Sequence, residues 1–291
     1  MAAAPDIARA AKFVWLSARL LDRHRFAHLF GDGSADAVVE ALRPYRNPDG
    51  GFGNALEPDL RGPVSQPAPT ALAFEILAEV GRLDDPMVEG ALAYLETITN
   101  PDGGVPFVLP SARDYPRAPH FQVVDDDPPS SLLMTGLLAA PLVGGGIEHP
   151  WLDAASRYCW DAIGALDYTS AYAARFAVGF LDHTSERQRA QSALAEIGPR
   201  LIESELVTLD PDSPGEIHTP LDFTPDPGLS SRSMWSDEII DRHLDAFAAG
   251  QQADGGWTFN WQAWAPMVEQ EWRGVVTVRA LTILRAYGRL P

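Results

Sequence analysis

Cysteine is nearly absent from this chain: Cys159 is the only one in 291 residues. A lone thiol excludes an intramolecular disulfide and any zinc cage built from several cysteines. Lysine is as scarce, with Lys12 alone among 22 basic residues, so nearly all positive charge is arginine. Set against 40 acidic residues, this leaves a net charge of −18, which opposes binding to nucleic acid or to an anionic membrane. Apolar runs of about eighteen residues, as a membrane span needs, are missing. So is the basic-then-apolar layout of a signal peptide, and the expectation is a soluble, cytoplasmic protein without stable membrane insertion. No convincing strand run, Gly-x-Ser-x-Gly, phosphate-binding glycine loop or dinucleotide fingerprint occurs, and the seven histidines show no metal-ligand spacing.

What the chain does have is one short turn, written three times. Asn47-Pro48-Asp49-Gly50-Gly51-Phe52, Asn100-Pro101-Asp102-Gly103-Gly104-Val105 and Gln252-Ala253-Asp254-Gly255-Gly256-Trp257 each follow an apolar helical run. Paired glycines end a helix because they reach left-handed conformations without a Cβ clash, and the apolar residue after them can turn back into the core. Behind each turn comes a bridge and then a second helical pattern, opening near Thr70, Ser130 and Thr277. A repeat of this kind is read first, because one helical pair cannot bury its own apolar face.

Between and around the repeats the apolar spacing predicts helices over 6–22, a short segment ending near Leu42, 66–80, 86–98, 130–142, 151–164, 169–181, 185–204, 235–250 and 270–288. Asp85-Pro86 and Asp32-Gly33-Ser34 supply helix starts, and residues 206–230, rich in proline, read as loop. With 46% hydrophobic residues the chain can bury a sizeable core. The repeats run almost end to end, so the expectation is a single all-α domain over 1–291, an α/α toroid of about six helical pairs whose N-terminal helix closes against the last.

The turn Gln251-Gln252-Ala253-Asp254-Gly255-Gly256-Trp257 resembles the glutamine-tryptophan repeat of squalene-hopene and oxidosqualene cyclases, and Asp49-Gly50-Gly51-Phe52-Gly53 is similar to the turns of protein prenyltransferase β-subunits. Asp49 to Asp59 with Ser65-Gln66-Pro67, and the tail Trp272-Arg273-Gly274 with Thr277, Ala280 and Leu281, look like a bacterial prenyltransferase-like group of unsettled activity. The resemblance covers about half the chain and implies the α/α toroid; a fold match alone licenses no chemistry. Class II cyclases protonate an alkene with an Asp-x-Asp-Asp motif. The nearest segment here is Val124-Asp125-Asp126-Asp127, whose first position is valine. The zinc of the protein prenyltransferases needs Asp, Cys and His, and Cys159 lies within a predicted helix with no matching partner nearby.

With the second helices aligned on Thr70, Ser130 and Thr277, the residues four positions earlier are Gln66, Asp126 and Arg273, expected on one rim. Near them in sequence stand Glu57, Asp59, Arg61, Asp125, Asp127, Glu269 and Glu271, with Trp261, Trp264 and Trp272. Carboxylates over an aromatic-lined cavity suit raised-pKa acid catalysis, metal–diphosphate binding or paired-carboxylate hydrolysis. Structural readings stand beside these: Asp125 to Asp127 as a helix cap, Glu57 to Arg61 as a salt-bridged loop, and the tryptophans as core. The first expectation is an isoprenoid-type enzyme taking a small hydrophobic molecule, with Asp126 as acid and Glu57, Asp59 and Glu271 positioning it. Gln66, Asp125, Asp127, Trp261, Trp264, Trp272, Arg273 and Arg61 would contact the substrate. No cofactor is expected, except magnesium if the substrate is a diphosphate. The alternatives are a carbohydrate-active toroid and a non-catalytic binding or scaffold protein.

Overall fold

A computed structural model describes residues 5–290. Its three Asp-Gly-Gly turns superpose in chemistry down to single hydrogen bonds. In each, the aspartate Oδ1 accepts from the second glycine's N–H (Gly51, Gly104, Gly256), and the first residue's N–H donates to that glycine's carbonyl. The first glycine is left-handed each time, with φ of 93°, 88° and 97° at Gly50, Gly103 and Gly255. The apolar residue that follows donates its N–H to a buried threonine of the repeat's second helix: Phe52 to Thr70 at 3.2 Å, Val105 to Thr135 at 2.9 Å, Trp257 to Thr277 at 2.9 Å.

That threonine fixes the register of the repeats and corrects one expectation. Thr135, not Ser130, is the partner of Thr70 and Thr277, so the residue matching Gln66 and Arg273 is Ser131 and not Asp126. Ser130 instead matches Ser65, since each donates to the aspartate of its own turn at 2.7 Å. The threonine hydroxyl also tests the scheme. Thr277→Val keeps the volume but leaves the fully buried Trp257 N–H without its acceptor, and is expected to cost about 1–3 kcal/mol in urea unfolding.

The described chain is all-α, with twelve α-helices and short 3-10 turns; its only strand-like features are isolated antiparallel bridges. It forms two compact units. The first comprises Met1–Ser34, Tyr168–Ala171 and Gln188–Pro291, and holds α1 (Ile7–Ser17), α2 (Leu20–Phe30), most of α9 (Arg187–Glu203), α10 (Pro220–Phe223), α11 (Asp237–Ala249) and α12 (Pro266–Ala286). The second comprises Ala35–Asp167 and Tyr172–Arg187, and holds α3 (Ala35–Leu42), α4 (Pro67–Glu79), α5 (Pro86–Ile98), α6 (Leu132–Gly144), α7 (Pro150–Gly164) and nearly all of α8 (Ala171–His183).

Most of these helices stand where apolar spacing puts them, and their ends follow from local chemistry. Asp85 and Ser131 cap α5 and α6 with their side chains, and Pro67, Pro86, Pro150 and Pro266 open α4, α5, α7 and α12, where a missing N–H costs nothing. The predicted helix over 6–22 is two helices. Ala18 and Arg19 are extended between them, with ψ of 160° and 156°. Neither residue is a helix breaker; tertiary contacts make the bend. Ala18 packs under Gly274 of α12, where any Cβ would lie 2.9 Å from its own, and Arg23 Nε donates to its carbonyl at 2.8 Å. The segment 206–230, read as loop, contains the four-residue α10, held by a capping box between Thr219 and Asp222.

Within the second unit, α4 packs on α6 and α6 on α7. Phe74, Leu77, Met87, Leu95, Met134 and Leu138 fill its centre. Each turn also docks on a further helix through its glycines. A Cβ on Gly50 would strike the Gly90 carbonyl of α5, and Gly51 lies against the Tyr94 ring; Gly103 and Gly104 meet Ala154 and Tyr158 of α7 in the same way. In the first unit Gly255 and Gly256 meet Arg9 and Phe13 of α1. The chain's first helix therefore serves its last turn as α5 and α7 serve the other two. Among the described residues no helix is long and apolar enough to cross a membrane.

Candidate functional site

Two bridges carry the residues that the sequence singles out, one in each unit. In the second unit the bridge begins with Asn54 and Ala55, both left-handed at φ of 55° and 60°. It continues to Glu57 and Asp59, which are 7% and 5% exposed. Glu57 Oε1 accepts from the Asp59 N–H at 3.1 Å, a local turn within the bridge.

A second segment straps over this bridge. Residues 106–121, from the loop before α6, pair with it backbone to backbone. Ala118 N–H donates to the Asp59 carbonyl at 2.9 Å, and Arg61 N–H to the Pro116 carbonyl at 3.0 Å. Gln66 clamps the other edge, its Nε2 donating to Ser111 Oγ at 2.7 Å and its Oε1 accepting from the Leu109 N–H at 2.9 Å. Arg117 shapes the strap itself by donating Nη1 to the carbonyls of Ala112, Arg113 and Tyr115. Between bridge and strap lies a narrow crevice of about 10 Å³, room for about one water, lined by Gly53, Leu60, Gly62, Val64, Gln66 and Tyr115 among others.

His120, on the strap, brings its Nε2 to 3.8 Å from Asp59 Oδ2, and its side chain is 56% exposed. An exposed imidazole thus stands beside a buried carboxyl. The pair joins residues 61 positions apart, and no spacing rule points to it.

Asp126 lies elsewhere in character. Its side chain is 87% exposed and its Oδ1 accepts from Arg113 Nη2 at 2.6 Å; Asp125 and Asp127 are exposed beside it. None of the three caps α6, whose cap is Ser131. An acid that protonates an alkene needs shielding from water, and nothing in this turn provides it. Gln66, expected at a cavity mouth, is 2% exposed and spent on the strap; Arg61 is half-buried with its N–H on Pro116.

In the first unit the bridge before α12 is aromatic. Phe259 and Trp261 stack at 4.2 Å between centroids, and Trp261 meets Trp272 edge-on at 5.5 Å. Trp264 and Glu271 are half-buried nearby in sequence. Arg273 is a structural residue here. It grips both oxygens of Asp254 at 2.8 and 2.9 Å, reaches the Trp257 carbonyl, and lies 4.6 Å over the Phe13 ring. The Arg273 guanidinium, helped by the Gly256 N–H, holds the Asp254 carboxyl below its usual range.

Metal chemistry finds little to build on among these side chains. Burial pushes the Cys159 thiol up to about 12, far from the thiolate that zinc binds. Among the described residues no group of three or more His, Cys, Asp or Glu could hold a metal ion.

No protein-family model matches the chain, and no curated protein matches it in sequence. Solved structures do match in fold. A protein from Actinoplanes superposes with a TM-score of 0.63 at 14% identity, over 97% of this chain and 98% of its own. A variant of the type II terpene cyclase MstE from Scytonema, in complex with its substrate geranylgeranyl dihydroxybenzoate, gives 0.57 at 14% identity, over 98% and 97%. The fold is terpene-cyclase-like. MstE without ligand gives 0.54 at 13% identity, over 98% of this chain and 88% of its own. At such identities the likeness carries the fold and not the residues, and the turn of Asp125 to Asp127 has to be judged on its own geometry.

Proposed function

We propose that this chain is an isoprenoid-type enzyme that binds a prenyl-bearing substrate and acts on it by acid chemistry, with Asp59 as the acid. The observation that carries the reading is the likeness, over 98% of this chain, to a type II terpene cyclase in complex with a geranylgeranyl substrate. Asp59 replaces Asp126 because it is buried and covered by a strap, whereas Asp126 stands in water. A protonated Asp59 gives its proton to an alkene carbon, and the resulting cation is quenched by losing a proton elsewhere. His120, half in solvent, then passes a proton from water back to Asp59. Glu57 orients the loop through the Asp59 N–H. A carbohydrate-active reading has less support, since Glu57 and Asp59 are both buried, where a hydrolytic pair has to reach a sugar from both sides.

The test uses the full chain with geranylgeranyl dihydroxybenzoate. Binding followed by tryptophan quenching, and a product of unchanged mass but altered retention, are expected. Asp59→Asn should lower turnover by about 10²–10⁴-fold with binding retained, while Asp126→Asn stays within about twofold, as exposed substitutions usually do. Absence of any prenyl ligand binding would sink the proposal, and equal turnover in Asp59→Asn would remove Asp59 from it.

A further inference from the structure

The three repeats differ in the length of chain between turn and threonine. Phe52 and Thr70 are 18 residues apart and Trp257 and Thr277 are 20, but Val105 and Thr135 are 30 apart. Ten to twelve residues of the second bridge are therefore surplus to the repeat, since the sister turns make the same hydrogen bond without them. The surplus is the strap, and it pairs with the bridge of the first repeat. The residue four positions before each threonine differs in the same sense. Ser131 caps its own helix and Arg273 grips its own turn, whereas the Gln66 side chain is spent on Leu109 and Ser111 of the strap.

The strap is built as one body. Phe107 and Phe121 stack at 4.9 Å with their rings 10° from parallel, which closes its two ends on each other in the manner of an Ω-loop. Arg117 ties three of its carbonyls together from within, and 3-10 turns at Pro110–Ala112 and Pro119–Phe121 stiffen it. Its outer side carries Arg113, Asp114, Pro116 and Pro119, all exposed. It meets the bridge through two backbone pairs, the Gln66 side chain, and the Tyr115 ring against Gly62. A segment that is held together internally and hydrogen-bonded along one face can open locally while the core stays folded.

We infer that residues 106–121 lift as a unit and uncover Asp59, with Gln66 as the clasp. With the strap down, the crevice has room for about one water and Asp59 is 5% exposed, so no prenyl chain reaches the carboxyl. Opening gives a prenyl end access to it, as a lid over an active site does. That use of the motion rests on the reading of Asp59 as the acid; the motion itself does not.

Two measurements on the full chain test motion and use separately. In the first, the thiol introduced by Leu60→Cys, beneath the strap, is labelled with iodoacetamide alongside Cys159, which is fully buried in α7 and serves as the internal standard. The introduced thiol should react at least about tenfold faster than Cys159, and Gln66→Leu should quicken it about tenfold further without changing Cys159. Equal rates at the two thiols, or an acceleration of both alike by Gln66→Leu, overturn the inference, because the strap would then open only as the whole unit unfolds. The second measurement uses Leu60→Cys with Arg117→Cys. The bonds from the Arg61 N–H to the Pro116 carbonyl and from the Ala118 N–H to the Asp59 carbonyl flank the Leu60–Arg117 bridge. These two residues are thus a non-hydrogen-bonded antiparallel pair, with Cα atoms about 4.5 Å apart and within reach of a disulfide. Oxidised, this chain should turn over geranylgeranyl dihydroxybenzoate at least about tenfold more slowly than its own reduced form. The reduced form carries the same substitutions and controls for their effect on folding. Equal turnover in both forms, with the cross-link confirmed by mass, overturns the gate. A parent chain without turnover sinks the acid reading alone, and the labelling rates still decide whether the strap opens.

Discussion

Gly255→Ala is expected to cost about 3–5 kcal/mol of folding stability, seen as a large fall in the urea midpoint at unchanged slope. Two effects add. The backbone stands at φ +97°, beyond what alanine adopts without strain, and the new Cβ would lie 2.2 Å from the Arg9 carbonyl oxygen. That oxygen belongs to α1, so relief requires the first helix to move off the last turn. It cannot slide freely: Arg9 Nη2 donates to the Gln252 and Ala253 carbonyls of the same turn, and Gln251 bonds both the N–H and the carbonyl of Asp6. Gly50→Ala should behave alike, with 2.1 Å to the Gly90 carbonyl, and Gly103→Ala should cost less, its nearest oxygen being 2.7 Å away on Ala154. The ranking is the sharper test. A Gly255→Ala chain that loses under about 1 kcal/mol, the size of an ordinary surface substitution, would mean that α1 does not dock on the third turn.

Short-range chemistry is what made much of this fold readable. An aspartate directly before a glycine pair, and an apolar residue after it, work within a single turn, so the three repeats are visible as strings. Long-range choices are different. The Thr135 acceptor is thirty residues from Val105, and nothing between Ser130, Ser131 and Thr135 says which hydroxyl is used; aligning on Ser130 sets Asp126, in place of Ser131, against Gln66 and Arg273. The bend between α1 and α2 is invisible for a similar reason, since Ala18 and Arg19 are good helix formers overruled by Gly274, some 250 residues later.

The candidate site divides along the same line. That Glu57 and Asp59 lie in a bridge too rich in glycine and proline to be helical was legible. That they are buried was not, because burial comes from the strap, whose pairing through Ala118 and Pro116 leaves no periodic trace in a 25-residue loop. Arg273 shows the converse. Its place behind the third turn suggested a ligand contact, whereas two hydrogen bonds to Asp254 and a seat over Phe13 make it a brace between turn and helix.

Asp22→Asn is the second substitution with a large expected effect, about 3–5 kcal/mol. Asp22 has no exposed side-chain surface and takes Arg19 Nε at 2.8 Å and Arg25 Nη1 at 3.0 Å, on guanidinium groups themselves 11% and 10% exposed. The amide keeps the shape and one acceptor but removes a charge that two largely buried cations at the start of α2 both meet. A buried pair adds little when intact, because its desolvation consumes most of the attraction; breaking it from one side leaves that desolvation uncompensated. It follows that the double change Asp22→Asn with Arg25→Met should be milder than Asp22→Asn alone, a negative coupling readable in a double-mutant cycle by urea unfolding. Gly274 of α12 sits against both Ala18 and Asp22, with Asp22 Oδ2 at 3.6 Å from a Cβ placed there, so the ion cluster and the helix bend share one wall. Loosening the cluster should therefore free the α1–α2 corner as well. Limited proteolysis should cut Asp22→Asn first near Arg19, at the bend, while the parent chain resists there; equal protection of both would detach the cluster from the bend.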